Sequence, residues 1–270
     1  MLDINLIGGG FQHAYSSSGW NKSKYINWKK DNSADISFYI DEAIISGDYH
    51  DKRNFGWLLE TPALNQNIRK TIVDNLYYYQ SRFITIFTHD EHLLNLSDFF
   101  QFAPGGGSWI DKFEYSSKTK LCSSIISPKN YLEGHLLRTQ EIENFGHFCD
   151  IYGANFTKLD KKEDALREYY FSVTFENTKC DSYFTEKIID CFATQTIPIY
   201  YGSHNIKKYF NPDGIIFYYD SKNINFSNIC IDFYYDNIHA VFENYEISKQ
   251  FHIAEDWIYK NYDLRGYSHA

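Results

Sequence analysis

The sequence alternates short apolar runs with amphipathic stretches, and this alternation limits the folds that the chain can adopt. Phe171, Val173 and Phe175 repeat at the two-residue period of a strand. The stretch 185–195 then places apolar residues on one face of a helix, and the run 196–201 returns as a strand. Strands and helices that alternate at these lengths predict a parallel, doubly wound α/β sheet.

The same alternation extends over most of the chain and predicts two α/β units. We predict strands at 3–7, 35–40, 55–60, 82–88, 120–127, 148–152, 169–176, 196–201 and 215–219, and helices at 64–79, 132–145, 185–195, 229–245 and 248–259. The predicted units are residues 1–119 and 120–270. We expect them to face each other across a cleft, with the C-terminal helices packing back across both.

Composition excludes several classes of protein. The 26 basic and 35 acidic residues give a formal charge of −9, which argues against a nucleic-acid partner. No apolar run is long enough to span a membrane, so peripheral association is the only membrane contact that the sequence allows. The start has no secretory leader pattern, and the five cysteines form no C-x-x-C pair. We therefore predict reduced thiols and a cytoplasmic protein.

One constellation of polar residues lies where such a sheet binds ligands. Glu176 and Asn177 follow a predicted strand, and Thr185, Glu186 and Lys187 begin the next helix. A helix N-terminus favours a diphosphate, and Lys187 adds a full positive charge. Glu186 suits a sugar ring on which positive charge develops. In a second interpretation, Thr185 simply caps the helix and its two neighbours are solvated.

The same stretches resemble a known sequence motif. The residues FSVTFENT at 171–178, YFTEK at 183–187 and IPIYYGS at 197–203 closely resemble the fucosyltransferase motif of glycosyltransferase family ten. That family contains the α1,3/1,4-fucosyltransferases, which use GDP-fucose. WLLETP at 57–62 is similar to a further segment of the family, with Thr61 in place of serine. The first fifty residues match no family motif.

The resemblance implies a fold, a reaction and roles for particular residues. The fold would be GT-B, with two Rossmann-like domains: an acceptor-binding domain at 1–119 and a GDP-sugar-binding domain at 120–270. The reaction would be a single displacement that inverts the anomeric centre. The implied donor-binding residues are Arg138 (base or diphosphate), Asn177 and Tyr183 (ribose-phosphate region), Thr185, Glu186 and Lys187 (sugar and diphosphate). Glu60 and Glu186 would be catalytic, with Glu60 as the base.

The residues themselves support part of this assignment. Inverting transfer needs a carboxylate that takes the acceptor's proton, and Glu60 ends the apolar run 56–59. Apolar surroundings would raise the pKa of such a carboxyl group. The competing interpretation is that Glu60 caps the helix predicted from residue 64. No Asp-x-Asp motif occurs, so we expect no metal in the chemistry and no cofactor besides the donor GDP-fucose.

Other candidate sites are less specific. His89 and His92 flank Asp90 and Glu91 at metal-ligand spacing, but a helix start capped by Asp90 is the favoured interpretation. The glycines at 8–10 are interpreted as a turn. The predicted function is fucose transfer from GDP-fucose to a glycan or glycolipid acceptor. The alternatives are transfer of another GDP-activated sugar, or a catalytically silent protein that binds glycans or nucleotide sugars.

Overall fold

The computed structural model of the chain describes residues 1–11, 14–49, 53–153, 155–219 and 224–266. The chain divides into two compact units. Unit 1 contains Met1–Gly107 and the chain from His252 onward, and unit 2 contains Ser108–Phe251. No helix within these described ranges is long and apolar enough to cross a membrane.

The strands and helices follow the predicted alternation. The strands are β1 Leu2–Ile7, β2 Ile26–Lys29, β3 Ile36–Ile40, β4 Arg53–Trp57, β5 Thr85–Thr88, β6 Phe100–Phe102, β7 Lys120–Ile125, β8 Cys149–Tyr152, β9 Tyr169–Phe175, β10 Ile197–Tyr201 and β11 Ile216–Phe217. The α-helices are α1 Ala43–Ser46, α2 Gln66–Asp74, α3 Leu76–Gln80, α4 Glu91–Leu96, α5 Glu133–Gln140, α6 Ile142–Phe145, α7 Glu186–Ala193, α8 Ile231–Asp236, α9 Ile238–Ser248 and α10 Ala254–Asn261.

Unit 1 is built on a parallel sheet with the strand order β2-β1-β3-β4-β5-β6. Both faces of this sheet are covered. Phe38 and Ile40 of β3 pack in one apolar layer with Ile258 of α10. Tyr39, between them, packs in the opposite layer with Ile72 of α2. The sheet is therefore wound on both sides, as the alternation of elements predicts.

Unit 2 is built on a second parallel sheet, with the order β11-β10-β9-β7-β8. Phe171, Val173 and Phe175 share one buried face, in an apolar cluster with Val241 of α9. Their predicted alternation is confirmed. The opposite face is covered in part by α7, whose Cys191 packs in a separate cluster. Each sheet thus has the doubly wound arrangement that the sequence predicts.

The boundary between the units differs from the one expected at residue 119. The segment before β7 lies in unit 2 because it is held by the elements of that unit. The Ser108 hydroxyl donates to Asp190 over 2.7 Å. The Lys118 ammonium donates over 2.6 Å to the carbonyl of Thr194, at the end of α7. The division therefore falls between residues 107 and 108.

The C-terminal helices separate between the two units. Helices α8 and α9 lie in unit 2, whereas α10 lies in unit 1. Two buried carboxylates anchor α10 to the N-terminal part of the chain. Glu255 accepts a hydrogen bond from the Trp28 indole over 2.9 Å, and Asp256 accepts from the Lys24 amide over 3.1 Å. The tail thus packs back, but each helix belongs to one unit.

Several element bounds differ from the prediction. Strands β2 and β6 were not predicted, and the helices expected at 64–79, 132–145 and 229–245 are each divided in two. The first division lies at Asn75, whose side chain donates to the carbonyl of Thr71. Asparagine disfavours helix interiors because its side chain competes for backbone hydrogen bonds. Strand β4 ends at Trp57, so Glu60 lies three residues beyond the strand.

Candidate active site

The candidate site lies at the carboxyl edge of the unit 2 sheet, where the strand order reverses between β7 and β9. In open parallel sheets, ligands bind beyond the strand ends at such a reversal. Ser127 follows β7, Glu176 and Asn177 follow β9, and α7 begins at Glu186 after the next loop. The sequence therefore brings its polar constellation to the expected edge.

Glu176 organises this edge, although the sequence analysis gave it no role. Its carboxylate is fully buried and accepts hydrogen bonds from the amide and hydroxyl of Thr185, over 2.9 and 2.7 Å. Burial raises the pKa of Glu176, and the nearby Lys187 ammonium opposes this change. A sequence signal did exist, because an acidic residue directly follows a fully buried strand. Glu176 holds the loop before α7 in place.

Thr185 caps α7, as one of the two interpretations predicted. Its side-chain oxygen accepts from the backbone amide of Lys187. The Thr185 side chain is buried, and its hydrogen bonds stabilise the start of the helix. The remaining amides of the first turn supply the positive end of the helix dipole.

Lys187 lies between two carboxylates. Its ammonium is 3.1 Å from a carboxylate oxygen of Glu186 and 3.5 Å from one of Glu176. Burial would raise the pKa of Glu186, but Lys187 and Lys162 outweigh it and lower the pKa to about 2. Burial would lower the pKa of Lys187, but the two carboxylates outweigh it and raise that pKa. Both residues are therefore charged at neutral pH and remain partly exposed.

Arg138 is the second cation of the site. Its side chain is buried, and one guanidinium nitrogen donates to the Ser127 hydroxyl over 2.9 Å. Its Nε atom is also buried and has no hydrogen-bond partner among the residues that the structure describes. Burial lowers the pKa of Arg138, whereas the charges of Glu186 and Glu176 raise it. A buried guanidinium with an unpaired Nε donor suits an anionic ligand such as a diphosphate.

Asn177 and Tyr183 differ in accessibility. The Asn177 side-chain oxygen is 3.1 Å from a ring nitrogen of His135, and the residue is partly exposed. Tyr183 is only 2% exposed. The structure thus leaves Asn177 partly accessible to a ligand and buries Tyr183.

Helix α5 approaches the end of β9 closely because residue 134 is a glycine. The Gly134 amide donates to the carbonyl of Asn177 over 2.9 Å. A Cβ atom on Gly134 would lie 1.8 Å from the carbonyl oxygen of Glu176. The approach places Arg138, one turn further along α5, beside the start of α7. The sequence analysis did not single out Gly134.

A further ion pair involves Asp190 of α7. The Lys162 ammonium lies 2.6 Å from the buried carboxylate of Asp190 and 3.9 Å from that of Glu186. It also lies 5.2 Å from the centre of the Trp109 ring. Lys162 is therefore paired and largely covered, and is not a solvated surface charge. This lysine keeps Glu186 charged together with Lys187.

Glu60 lies in unit 1, on a turn shaped by Asp41. One Asp41 oxygen accepts hydrogen bonds from the amides of Leu59 and Glu60, over 2.9 and 3.2 Å, and from the Asn65 side chain. Asp41 itself has a φ of +48°, a conformation that aspartate tolerates better than most residues. Burial raises the pKa of Asp41 to about 6, although these donors oppose the change.

The surroundings of Glu60 differ from those expected. Its side chain is exposed, so the apolar environment predicted for it is absent. The competing interpretation also fails, because α2 is preceded by Asn65 at the N-cap position. The partly buried carboxylate of this turn is Asp41, which the sequence analysis missed.

The histidine cluster forms no metal site. Asp90 caps α4 by accepting from the His92 amide over 2.9 Å, as predicted. His89 is buried whereas His92 is exposed, so the two rings do not converge. Among the residues that the structure describes, no group of three or more histidine, cysteine, aspartate or glutamate side chains is placed to hold a metal ion.

Comparison with known proteins shows which family the site region resembles. Residues 115–228 match the family model "Glycosyltransferase family 10 (fucosyltransferase) C-term". A 65-residue stretch is 45% identical to the alpha-(1,3)-fucosyltransferase FucT of Helicobacter pylori, over 24% of this chain and 14% of that protein. A 108-residue stretch is 27% identical to alpha-(1,3)-fucosyltransferase C of Drosophila melanogaster, over 38% of this chain and 25% of that protein. The matches thus span at most a quarter of these two relatives.

Solved structures show the same architecture. A crystal structure of an alpha1,3-fucosyltransferase with GDP matches over 90% of this chain and 82% of its own, with a TM-score of 0.53 and 17% identity. A second, titled as the enzyme with GDP-fucose, gives a TM-score of 0.52 at 16% identity, over 90% of this chain and 82% of its own. At these identities the likeness shows the fold alone, and it confirms the predicted GT-B class. Residues 115–228, a little under half of this chain, are therefore similar to the fucosyltransferase C-terminal region of glycosyltransferase family 10.

Proposed function

We propose that this chain transfers L-fucose from GDP-fucose to a hydroxyl group of a glycan or glycolipid acceptor. The observation that carries the proposal is the pair of cations, Lys187 and Arg138, at the start of α7 in a family 10 domain. Arg138 has an unpaired Nε donor among the described residues, and Lys187 is partly exposed. Both features suit a nucleoside diphosphate.

The donor's diphosphate is held by Lys187, Arg138 and the first amides of α7. These groups neutralise the charge that grows on the diphosphate as the bond to the sugar breaks. Glu186 is ionised and faces the positive charge that develops on the sugar ring. Asn177 contacts the ribose-phosphate region through its partly exposed amide. No metal or cofactor enters this scheme.

The acceptor step is a single displacement. The acceptor oxygen bonds to the anomeric carbon while the bond from that carbon to the β-phosphate oxygen breaks. The electrons of the broken bond leave with GDP, the acceptor proton passes to the Glu60 carboxylate, and the configuration inverts. Asp41 contributes by holding the backbone of the Glu60 turn. An exposed carboxylate is accessible to an acceptor hydroxyl.

A coupled GDP- and UDP-release assay tests the donor assignment. Wild-type protein is incubated with GDP-fucose, GDP-mannose and UDP-sugars, each with and without an oligosaccharide acceptor. We expect acceptor-dependent release of GDP from GDP-fucose. Preference for GDP-mannose would mean that the transferred sugar is mannose rather than fucose. If no nucleotide is released from any donor, the chain would instead be a catalytically silent protein that binds glycans or nucleotide sugars.

Two variants separate the assigned roles. Lys187→Ala should chiefly raise KM for the donor, because it removes a contact made already in the ground state. Glu60→Gln should chiefly lower kcat, by about 10²–10⁴-fold as expected for the loss of a general base. Unchanged kinetics in either variant would contradict the role of that residue.

A further inference from the structure

Two large aromatic side chains of unit 1 are exposed side by side. Tyr15 is 55% exposed and Trp20 is 73% exposed. Their rings meet edge to face, with 5.6 Å between centroids. Exposed aromatic residues that cluster, rather than occur singly, indicate a site of interaction. Tyrosine and tryptophan are also rigid and therefore lose little conformational entropy on binding.

A tight turn brings these rings together. The amides of Tyr15 and Ser16 donate to the carbonyl of Gly19 over 3.0 and 3.3 Å. Gly19 has a φ of +67°, which glycine adopts without strain. Tyr15 and Trp20 therefore lie on the two sides of the turn. We refer to residues 14–24 as the aromatic loop.

Helix α10 and the residues before it anchor the aromatic loop. The Ser17 amide and hydroxyl both donate to the buried carboxylate of Glu255. The Lys24 amide donates to both oxygens of Asp256, and the Ser18 hydroxyl donates to the carbonyl of His252 over 2.9 Å. The rings are therefore presented by a backbone that is fixed at several points. Such preorganisation lowers the entropic cost of binding.

The aromatic loop and Glu60 belong to the same unit. The loop connects β1 to the parallel strand β2, so the chain leaves β1 at the edge where Glu60 follows β4 and reaches β2 at the opposite edge. Glu255, which holds the loop, also accepts from Trp28 of β2. In the order β2-β1-β3-β4, strand β2 lies three spacings from β4. At about 4.8 Å a spacing, this corresponds to roughly 14 Å.

We propose that Tyr15 and Trp20 form a remote acceptor subsite, on which a glycan stacks a sugar ring several units away from the hydroxyl that reacts. This inference rests on the proposed transfer function. One face of a pyranose ring presents C–H groups that pack on an aromatic ring, while its hydroxyls stay at the rim. The exposed Lys22 ammonium lies over the Tyr15 ring, 4.9 Å from its centre, so it borders the pair with a polar group and leaves the Trp20 ring as the main stacking surface. A narrow aromatic surface with a polar border fits a sugar chain better than an apolar protein surface.

A comparison of acceptor lengths tests the subsite. The full chain is assayed with GDP-fucose and linear N-acetylhexosamine–hexose oligosaccharides of two or six sugars. We expect kcat/KM to be about tenfold higher for the longer acceptor, and Trp20→Ala to abolish that difference. Trp20→Phe should restore most of it. The matched control is Tyr77→Ala, which removes an aromatic ring that is 90% exposed on α3. It should keep the wild-type ratio.

Direct binding separates this inference from the transfer reaction. The six-sugar oligosaccharide is titrated without donor, and the heat of binding is followed by calorimetry. Saturable binding that is lost in Trp20→Ala supports the subsite even if no sugar is transferred. Equal kcat/KM for both acceptor lengths in the wild type, or binding unchanged in Trp20→Ala, would overturn it. The inference would also be overturned if the only effect of Trp20→Ala were to convert a dimer to a monomer, as measured by sedimentation.

Discussion

At the scale of single residues, the site depends on charges that are buried together. Two carboxylates, Glu176 and Glu186, lie within 3.5 Å of the one ammonium of Lys187. Removing one partner of a buried ion pair lowers the free energy of unfolding by more than the intact pair contributes to it, because the remaining charge stays desolvated. The binding cation is therefore also a structural residue, and stability and donor affinity must be measured separately.

Replacing Lys187 should affect both quantities. We expect Lys187→Met to lower the free energy of unfolding by on the order of 2–4 kcal/mol, because Glu176 keeps its burial and loses its cation. Urea titration measures this loss, and calorimetric titration with GDP measures the accompanying loss of affinity. Lys207→Met, at an exposed lysine of unit 2, is the control and should change neither. A Lys187→Met protein as stable as wild type would contradict the account of Glu176.

Asp41 predicts a dependence of stability on pH. Its pKa is about 6 in the folded chain, above its ordinary value of 3.8, so the folded state binds the proton more tightly than the unfolded state. Its contribution to stability is therefore complete below about pH 4 and is lost as the pH rises through 6. The loss is on the order of 3 kcal/mol. The nearby charge of Glu60 also raises the pKa of Asp41.

Asp41→Asn should remove this dependence and keep the oxygen that accepts the turn's hydrogen bonds. Thermal unfolding of both proteins at pH 4, 5, 6 and 7 measures the difference in melting temperature. We expect the melting temperature of the variant to rise relative to that of the wild type between pH 4 and 6, with no further rise at pH 7. A difference that stays constant with pH, or that grows as the pH falls, would contradict the assignment.

The sequence gives a partial account at this scale. Lys187 and Glu186 were predicted because charged residues near a helix start are visible in the sequence itself, whereas Arg138 was implied only by the resemblance to the family motif. Glu176 and Asp41 were missed because their importance comes from tertiary burial beside groups distant in sequence. Local periodicity cannot show that a carboxylate will accept amides from another segment. The same reason explains why the exposure of Glu60 was not foreseen.

At the scale of secondary-structure elements, the site depends on how closely α5 approaches β9. A side chain at residue 134 would overlap the carbonyl of Glu176, so α5 would have to move away. Such a shift would move Arg138, and it would also disturb the Glu176 carboxylate, which holds Thr185. The geometry of two elements therefore depends on one glycine.

Gly134→Ala should consequently abolish donor binding more completely than loss of any one contact. We expect at least a hundredfold rise in the dissociation constant for GDP, measured by calorimetric titration. Far-ultraviolet circular dichroism should confirm that the helices remain. Gly9→Ala is the control, because no atom lies within 4 Å of an added Cβ there. Wild-type affinity in Gly134→Ala would show that this close approach does not matter.

Elements with strong periodicity were predicted well, and short or divided ones were not. Strand β9 and helix α7 match their predicted ranges closely, because their apolar residues repeat over seven or eight positions. Strand β2 was missed because four residues, INWK, are too short to establish a period. The divided helices keep an apolar stripe across the division, so the break is visible only in the structure.

At the scale of the whole molecule, the C-terminal segment completes unit 1. Helix α10 returns to the N-terminal part of the chain through Glu255 and Asp256, which were unassigned in the sequence. A parallel sheet needs both faces covered, and α10 supplies Ile258 to one face. The predicted alternation of elements identifies both units, but it cannot show which unit a terminal helix joins.

Glu255→Ala should therefore loosen unit 1 selectively. The change leaves the partly buried donors of Ser17 and Trp28 without their acceptor, which costs up to about 1–3 kcal/mol each. Hydrogen exchange should become faster in β1, β2 and the aromatic loop, and stay unchanged in β9 and β10. Glu246→Ala, which removes only an exposed pair with Lys249, is the control. Faster exchange confined to unit 2 would contradict this assignment of α10.

The central claim is that a nucleoside diphosphate binds at the start of α7, held by Lys187 and Arg138. A crystal structure of the full chain with GDP, grown in the presence of a chelator, tests it most directly. The account predicts diphosphate oxygens within hydrogen-bonding distance of the Lys187 ammonium and the Arg138 guanidinium. GDP bound elsewhere, or at this edge without contact to either side chain, would contradict it.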